Sequence, residues 1–197
     1  MPQLTKIRKT DPMVRPSRWL IWSGAFITLF LFTNINDPFN APKSWALSIS
    51  GFWLLGWIIF QIKYQIKITS QKWATYIALS FFLALTLAFI ATDNKYIGFF
   101  GEYQRKTGYL TYISLTVFFL AASYLIRLTN INSLFIVSLI VGFLSGIYGL
   151  VQHFGLDPIK WNNPYNSVLG TLGNPDFAAA VMAIFAILNF GIVIQAN

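Results

Sequence analysis

The chain has no cysteine and a single histidine, His153, among its 197 residues. Without thiols neither a disulfide nor a thiolate metal site can form. One imidazole cannot build a His-rich cluster, so no metal is expected. Charge is the second shortage. Asp, Glu, Lys and Arg make up 10% of the chain, against about 25% in an ordinary soluble domain, which is too little to coat a water-facing surface. Internal repeats and low-complexity tracts are also absent.

What the chain has instead is oil, and the oil is sorted. Hydrophobic residues make up 56% and mean hydropathy is +0.59. Six apolar stretches, roughly 19–34, 44–62, 73–91, 108–126, 131–152 and 175–196, contain no charged side chain apart from Asp176 at the very start of the last. At about 1.5 Å rise per residue, about 20 helical residues cross a hydrocarbon layer about 30 Å thick. The runs are too long and too uniformly apolar for barrel strands, and an unpaired backbone group in lipid costs several kcal/mol. The expected fold is all-α: a polytopic transmembrane bundle of about six spans. A basic tail (residues 1–18), in which Pro12 and Pro16 discourage a regular helix, would precede a helical domain over 19–197. A basic segment before a short apolar run also suits a secretory signal, but no small-x-small cleavage site follows, which favours an uncleaved first span.

The basic residues orient the spans. Lys6, Arg8, Lys9, Arg15, Arg18, Lys63, Lys67, Lys72 and Arg127 fall on one side with Asp11, a net +8. Lys43, Lys95, Arg105, Lys106 and Lys160 fall on the other with five acids, a net of zero. Both termini are therefore expected in the cytoplasm. The overall net charge of +8 follows from this topology, so no nucleic-acid partner is expected; the bilayer is. The three outward loops, 33–43, 92–107 and 153–174, are the longer ones and collect most of the Gly, Pro, Asn and Tyr outside the spans.

The second outward loop holds Glu102, Tyr103, Gln104, Arg105 and Lys106 between glycines that permit tight turns. Arg105 offers a planar fork suited to phosphate oxygens and Lys106 a point charge beside it. They could clamp a diphosphate-linked lipid, or simply sit among phospholipid head groups. In the third loop, Asn174, Pro175 and Asp176 make a helix start, with Asn as N-cap and Pro at the first helical position. Capping alone explains them. A helix N-terminus also favours an anion, and Gly170 and Gly173 around Thr171 would let backbone approach a sugar or diphosphate. His153 reads as an interfacial anchor, since the sequence places no orienting partner beside it. Trp19, Trp45, Trp73 and Tyr109 read the same way. Gly142, Gly146 and Gly149 share one helix face, Ala179, Ala183 and Ala186 another, and these faces are expected to touch.

Three segments, DPFNAPK (37–43), FFGEYQRKTGYLTY (99–112) and GTLGNPDFAAA (170–180), together resemble the N-terminal half of the O-antigen ligase and polymerase family of bacterial inner-membrane proteins. The third is similar to that family's Gly-Thr-(Phe/Leu)-Gly-Asn-Pro-Asn motif, with Asp176 in the last place. The second resembles its Gly-(Ser/Glu)-Tyr-x-Arg-x-x-Gly segment. The resemblance implies a multi-helix protein that transfers a glycan from a polyprenyl-diphosphate carrier to a glycan or lipid acceptor on the periplasmic side, with no cofactor. It implies a substrate site holding Arg105, with Lys106 and Tyr103, lined by Gly170, Thr171, Gly173 and Asn174. The family's catalytic arginines and histidine lie in a later periplasmic loop, so no catalytic residue is assigned here and His153 does not inherit that role. The expectation is a fragment of a longer protein or a shortened relative. Two other readings stay open. A neutral-solute permease is one, since spans without ionisable groups argue only against proton coupling; a non-catalytic membrane scaffold is the other.

Overall fold

The computed structural model describes residues 14–63, 72–125, 131–161 and 168–196. Lys6, Arg8, Lys9, Asp11, Lys67 and Arg127, used above for orientation, lie outside these residues. The described residues form seven α-helices: α1 (Val14–Phe26), α2 (Asn40–Lys63), α3 (Lys72–Ala91), α4 (Lys95–Phe100), α5 (Tyr109–Leu125), α6 (Ile131–His153) and α7 (Pro175–Ala196). Among the described residues there is no strand.

Asn40–Phe60, Lys72–Ala91 and Asn132–His153 are long and apolar enough to cross a membrane, while Tyr109–Leu125 and Pro175–Gly191 are apolar but shorter. The outside of the bundle is as oily as its core. Helix α3 buries only Ala74 and Ala78 and leaves Tyr76, Ile77, Leu79, Leu83, Leu87 and Ile90 each more than half exposed. Contiguous apolar surface on this scale needs an apolar solvent, and a lipid bilayer supplies one.

The first apolar stretch departs from expectation. Its helix begins at Val14 and stops at Phe26, continued only by a 3-10 turn (Ile27–Leu29), where an unbroken helix over 19–34 was expected. Pro16 does not prevent it. It sits in the first helical turn, where the missing N–H would have no partner anyway, and its ring is fully buried. At about 1.5 Å per residue α1 is about 20 Å long, short of the hydrocarbon thickness. Its position is central, packed on α2, α5 and α6. Leu20 enters one buried cluster with Leu54, Ile58, Val117, Ala121 and Leu125. The next residue, Ile21, enters a second cluster with Val137, Val141 and Phe185. One short helix thus joins two lobes, α2–α3–α5 and α6–α7.

Close approach is set by small residues, as expected on one side only. A Cβ at Gly142 would stand 3.1 Å from Phe185 Cβ, and one at Gly146 3.4 Å from Met182 Cε. The glycine face of α6 does meet α7. However, α7 answers with Met182 and Phe185, and Ala179, Ala183 and Ala186 are exposed. Tyr109 is likewise no interfacial anchor. Its ring stacks on Phe89 at 4.9 Å and its hydroxyl meets Thr86 Oγ1 at 2.8 Å, locking α5 to α3. Trp19, Trp45 and Trp73 are exposed as expected.

Candidate functional site

The starts of α2, α5 and α7 and the ends of α1, α3 and α6 gather at one end of the bundle, and the connecting loops form a rim there. Its centre is the first turn of α2. Asp37 caps this helix, its Oδ1 accepting from Asn40 N at 2.9 Å, with Pro38 next in sequence. Pro42 cannot donate to the Pro38 carbonyl four residues back. Phe32 N takes that acceptor at 3.0 Å, folding the chain after α1 against the α2 start. Helix α7 uses the same device. Asn174 Oδ1 accepts from Asp176 N at 2.8 Å and Phe177 N at 3.4 Å, as the Asn-Pro-Asp sequence predicted.

Three side chains of that turn hold the neighbouring loops. Asn40 Nδ2 donates to Gln104 O at 2.6 Å. Lys43 Nζ donates to Phe30 O at 2.7 Å, Phe39 O at 2.9 Å and Thr171 O at 2.6 Å. An ammonium has three donors, so Lys43 is fully spent on carbonyls and is a staple. The Phe39 ring lies on Gly173, where a Cβ would come within 2.4 Å of Cδ2, and beside Trp161 at 4.7 Å between centroids.

The Gly170–Asn174 segment is also gripped from α6. Gln152, 4% exposed, accepts at Oε1 from Leu169 N at 2.9 Å and Gly170 N at 2.8 Å. Its Nε2 donates to Asp157 Oδ2 at 3.0 Å. The same oxygen accepts from Tyr148 and Trp161, each at 3.0 Å, and Oδ1 accepts from Ile159 N at 2.9 Å. Burial alone would push the Asp157 carboxyl up. The Ile159 N–H and the Gln152, Trp161 and Tyr148 donors outweigh that and hold it below its ordinary value. Thr171 Oγ1 donates to Thr28 O at 2.8 Å. Positive φ at Gly170 (60°) and Gly173 (72°) completes the turn.

The second loop is pinched at its neck. Gly101 has φ 82°, and a Cβ on Gly108 would fall 2.2 Å from Gly101 N. The six residues between stand out together. Lys106, itself at φ 53°, places Nζ 4.5 Å from the Tyr103 ring centroid, a cation–π pair. Arg105 is exposed, with no side-chain partner among the described residues. Lys95, by contrast, is turned back on the end of α3, donating to Ile90 O and Thr92 O at 2.6 Å.

The seven residues expected in a site thus fall into two sets. Gly170, Thr171, Gly173 and Asn174 are bound up in holding their own segment. Arg105, Lys106 and Tyr103 present unspent polar groups. No hydrogen bond joins the two sets directly among the described residues; α2's first turn connects them. His153 is exposed, its ring edge-on to Phe154 at 5.2 Å. Sequence reading missed Gln152, Asp157, Tyr148 and Trp161. The one available signal was a polar Gln152 at the end of an apolar span, facing a loop with many backbone donors. No family model, curated protein or solved structure matches the chain.

Proposed function

We propose that this chain is the donor-holding, N-terminal part of a membrane glycan ligase or polymerase. In this reading six spans cross a bacterial inner membrane, α1 and α5 with help from their flanking residues, with both termini cytoplasmic and the rim on the periplasmic face. A glycan passes from a polyprenyl-diphosphate carrier to a glycan or lipid acceptor hydroxyl. Arg105 and Lys106 stabilise charge on the departing diphosphate, Tyr103 keeps Lys106 in place, and the Gly170–Asn174 segment forms the wall beside them. No catalytic residue is assigned within these 197 residues.

One observation carries the reading. The three segments on which the family resemblance rests are distant in sequence, yet the first turn of α2 grips both others, through Asn40–Gln104 and Lys43–Thr171. A scaffold needs no such junction of loops with unspent cations beside it. Arg105→Glu, introduced into the gene that encodes this chain in its own cell, is expected to abolish surface-glycan transfer without lowering the amount of membrane protein. An unchanged glycan ladder on a gel rejects the assignment.

A further inference from the structure

Helix α4 lies between α3 and α5, in a stretch that hydropathy alone assigns to an outward loop. Asn94 starts it, its Oδ1 accepting from Ile97 N at 3.1 Å. Its two faces differ. Phe99 turns inward, its ring 5.9 Å from Phe89 and 6.1 Å from Tyr109 between centroids. A Cβ at Gly98 would stand 3.0 Å from Thr92 Cγ2 and 3.3 Å from Phe89 Cδ2, so glycine lets α4 lie close against the end of α3. Tyr96, Ile97 and Phe100 share the opposite face and are exposed. No charged side chain lies among them.

The end of α3 beside it is sealed by the protein itself. A helix leaves its last carbonyls without partners in the helix, and in water they bond to solvent. Here Ala88 O accepts from Thr92 Oγ1 at 2.9 Å, Phe89 O from Thr92 N at 3.3 Å and Ile90 O from Lys95 Nζ at 2.6 Å. The same ammonium donates to Thr92 O at 2.6 Å and Phe89 O at 3.4 Å, so its donors are spent. Ordering a lysine over three carbonyls costs side-chain entropy, and is favoured where water is too scarce to bond them instead. The apolar surfaces agree. Leu83, Leu87 and Ile90 of α3 are each more than half exposed on its bilayer-facing side, and the outward face of α4 continues that surface past the helix end.

We infer that α4 is seated in the bilayer, at the boundary between acyl chains and head groups, with Ile97 and Phe100 against the chains and the Tyr96 hydroxyl toward the head groups. Aromatic side chains favour this layer, and tyrosine brings a polar tip to it. A soluble ligand would account for the exposed rings but not for the sealed end of α3, which would meet water whenever the ligand left. Gly101 follows Phe100 directly and, at φ 82°, turns the chain into residues 102–107. Seating α4 therefore fixes the depth of Arg105 and Lys106, level with lipid phosphates. It requires only a bilayer, and it holds whether or not the chain takes part in glycan transfer.

With no native cysteine, single nitroxide labels can be placed at Ile97→Cys and Phe100→Cys, with Leu87→Cys and Gln104→Cys as references. All four positions are exposed, so the labels leave the packing intact. The protein is studied in vesicles of phosphatidylcholine and phosphatidylglycerol. Electron paramagnetic resonance power saturation then compares collisions with molecular oxygen, which concentrates in lipid, and with a neutral nickel chelate, which stays in water. Oxygen collisions should exceed nickel collisions at Ile97→Cys and Phe100→Cys, as at Leu87→Cys, and the ratio should invert at Gln104→Cys. Nickel dominance at Ile97→Cys and Phe100→Cys while oxygen dominates at Leu87→Cys would place α4 in water and overturn the seating alone. Few collisions with either reagent at these two positions would mean that protein, not lipid, covers the face, which also overturns it. Nickel dominance at Leu87→Cys as well would overturn the bilayer reading on which the seating depends.

Discussion

Replacing Gln152 by Met keeps the side chain's length and volume and removes its hydrogen bonding. Two buried amides, Leu169 N and Gly170 N, lose their shared acceptor, and Asp157 loses one of its four donors. A buried donor left unpaired costs about 1–3 kcal/mol, so the pair is worth about 2–6 kcal/mol if the loop stays in place. The loop will instead shift toward water, which favours the lower end. At about 1.4 kcal/mol per tenfold, a loss of about 2 kcal/mol speeds local opening about thirtyfold. Hydrogen exchange reads this directly, because protection of an amide reports the free energy of its opening. Exchange of the 168–172 peptide should accelerate about thirtyfold in Gln152→Met, while a peptide from the middle of α5 should be unaffected. Exchange within threefold of wild type would show that Gln152 is not what holds this segment.

Lys43→Met should loosen the same segment from the other side. It removes charge-assisted bonds to three carbonyls, each worth about 1.5–3 kcal/mol, and tryptophan-fluorescence melting should fall by several degrees; Lys43→Arg should not restore it, since a planar fork cannot reach three diverging acceptors. Gly108→Ala should lower the melting temperature sharply, because its Cβ would collide with Gly101 N at 2.2 Å and Phe99 O at 2.4 Å, whereas Gly56→Ala, with nothing within 4 Å, should be neutral or stabilising by about 1 kcal/mol. The Asp157 network has a defined pH response. Its folded-state carboxyl is held below the unfolded value of about 3.9, so its contribution is complete above about pH 4 and is lost as pH falls through the lower folded value. Protection factors of the 168–172 peptide should therefore be flat from pH 8 to pH 5, and a midpoint near pH 6 would contradict the assignment.

The helical stretches were legible because segregation of charge is a composition signal that survives any detail of packing. Residues 73–91, 131–152 and 175–196 match α3, α6 and α7 to within a residue at each end. The first stretch was misplaced because hydropathy sees oil and not hydrogen bonds. Helix α1 stops at Phe26, and the carbonyl of Thr28 is committed to Thr171, a residue far along the chain. The Asn174 cap was readable because capping is local. Lys43 was counted merely as an outward charge, since the carbonyls it serves come from three separate segments. Gln152 and Asp157 escaped for the same reason: their partners, the Leu169 and Gly170 amides and Trp161, are brought to them only by the fold. The alanine face of α7 was misread because small-residue spacing shows that a helix can approach another, not which side does.

The proposed site requires three distant segments to form one rim, and the absence of native cysteine permits a direct measurement. Asn40→Cys paired with Gln104→Cys, and Lys43→Cys paired with Thr171→Cys, should be joined in intact membranes by a short bismaleimide, with each single variant left uncrosslinked. Failure of both pairs to crosslink, while each cysteine still reacts with a monofunctional maleimide, would mean that the segments do not meet and that the proposed site does not exist.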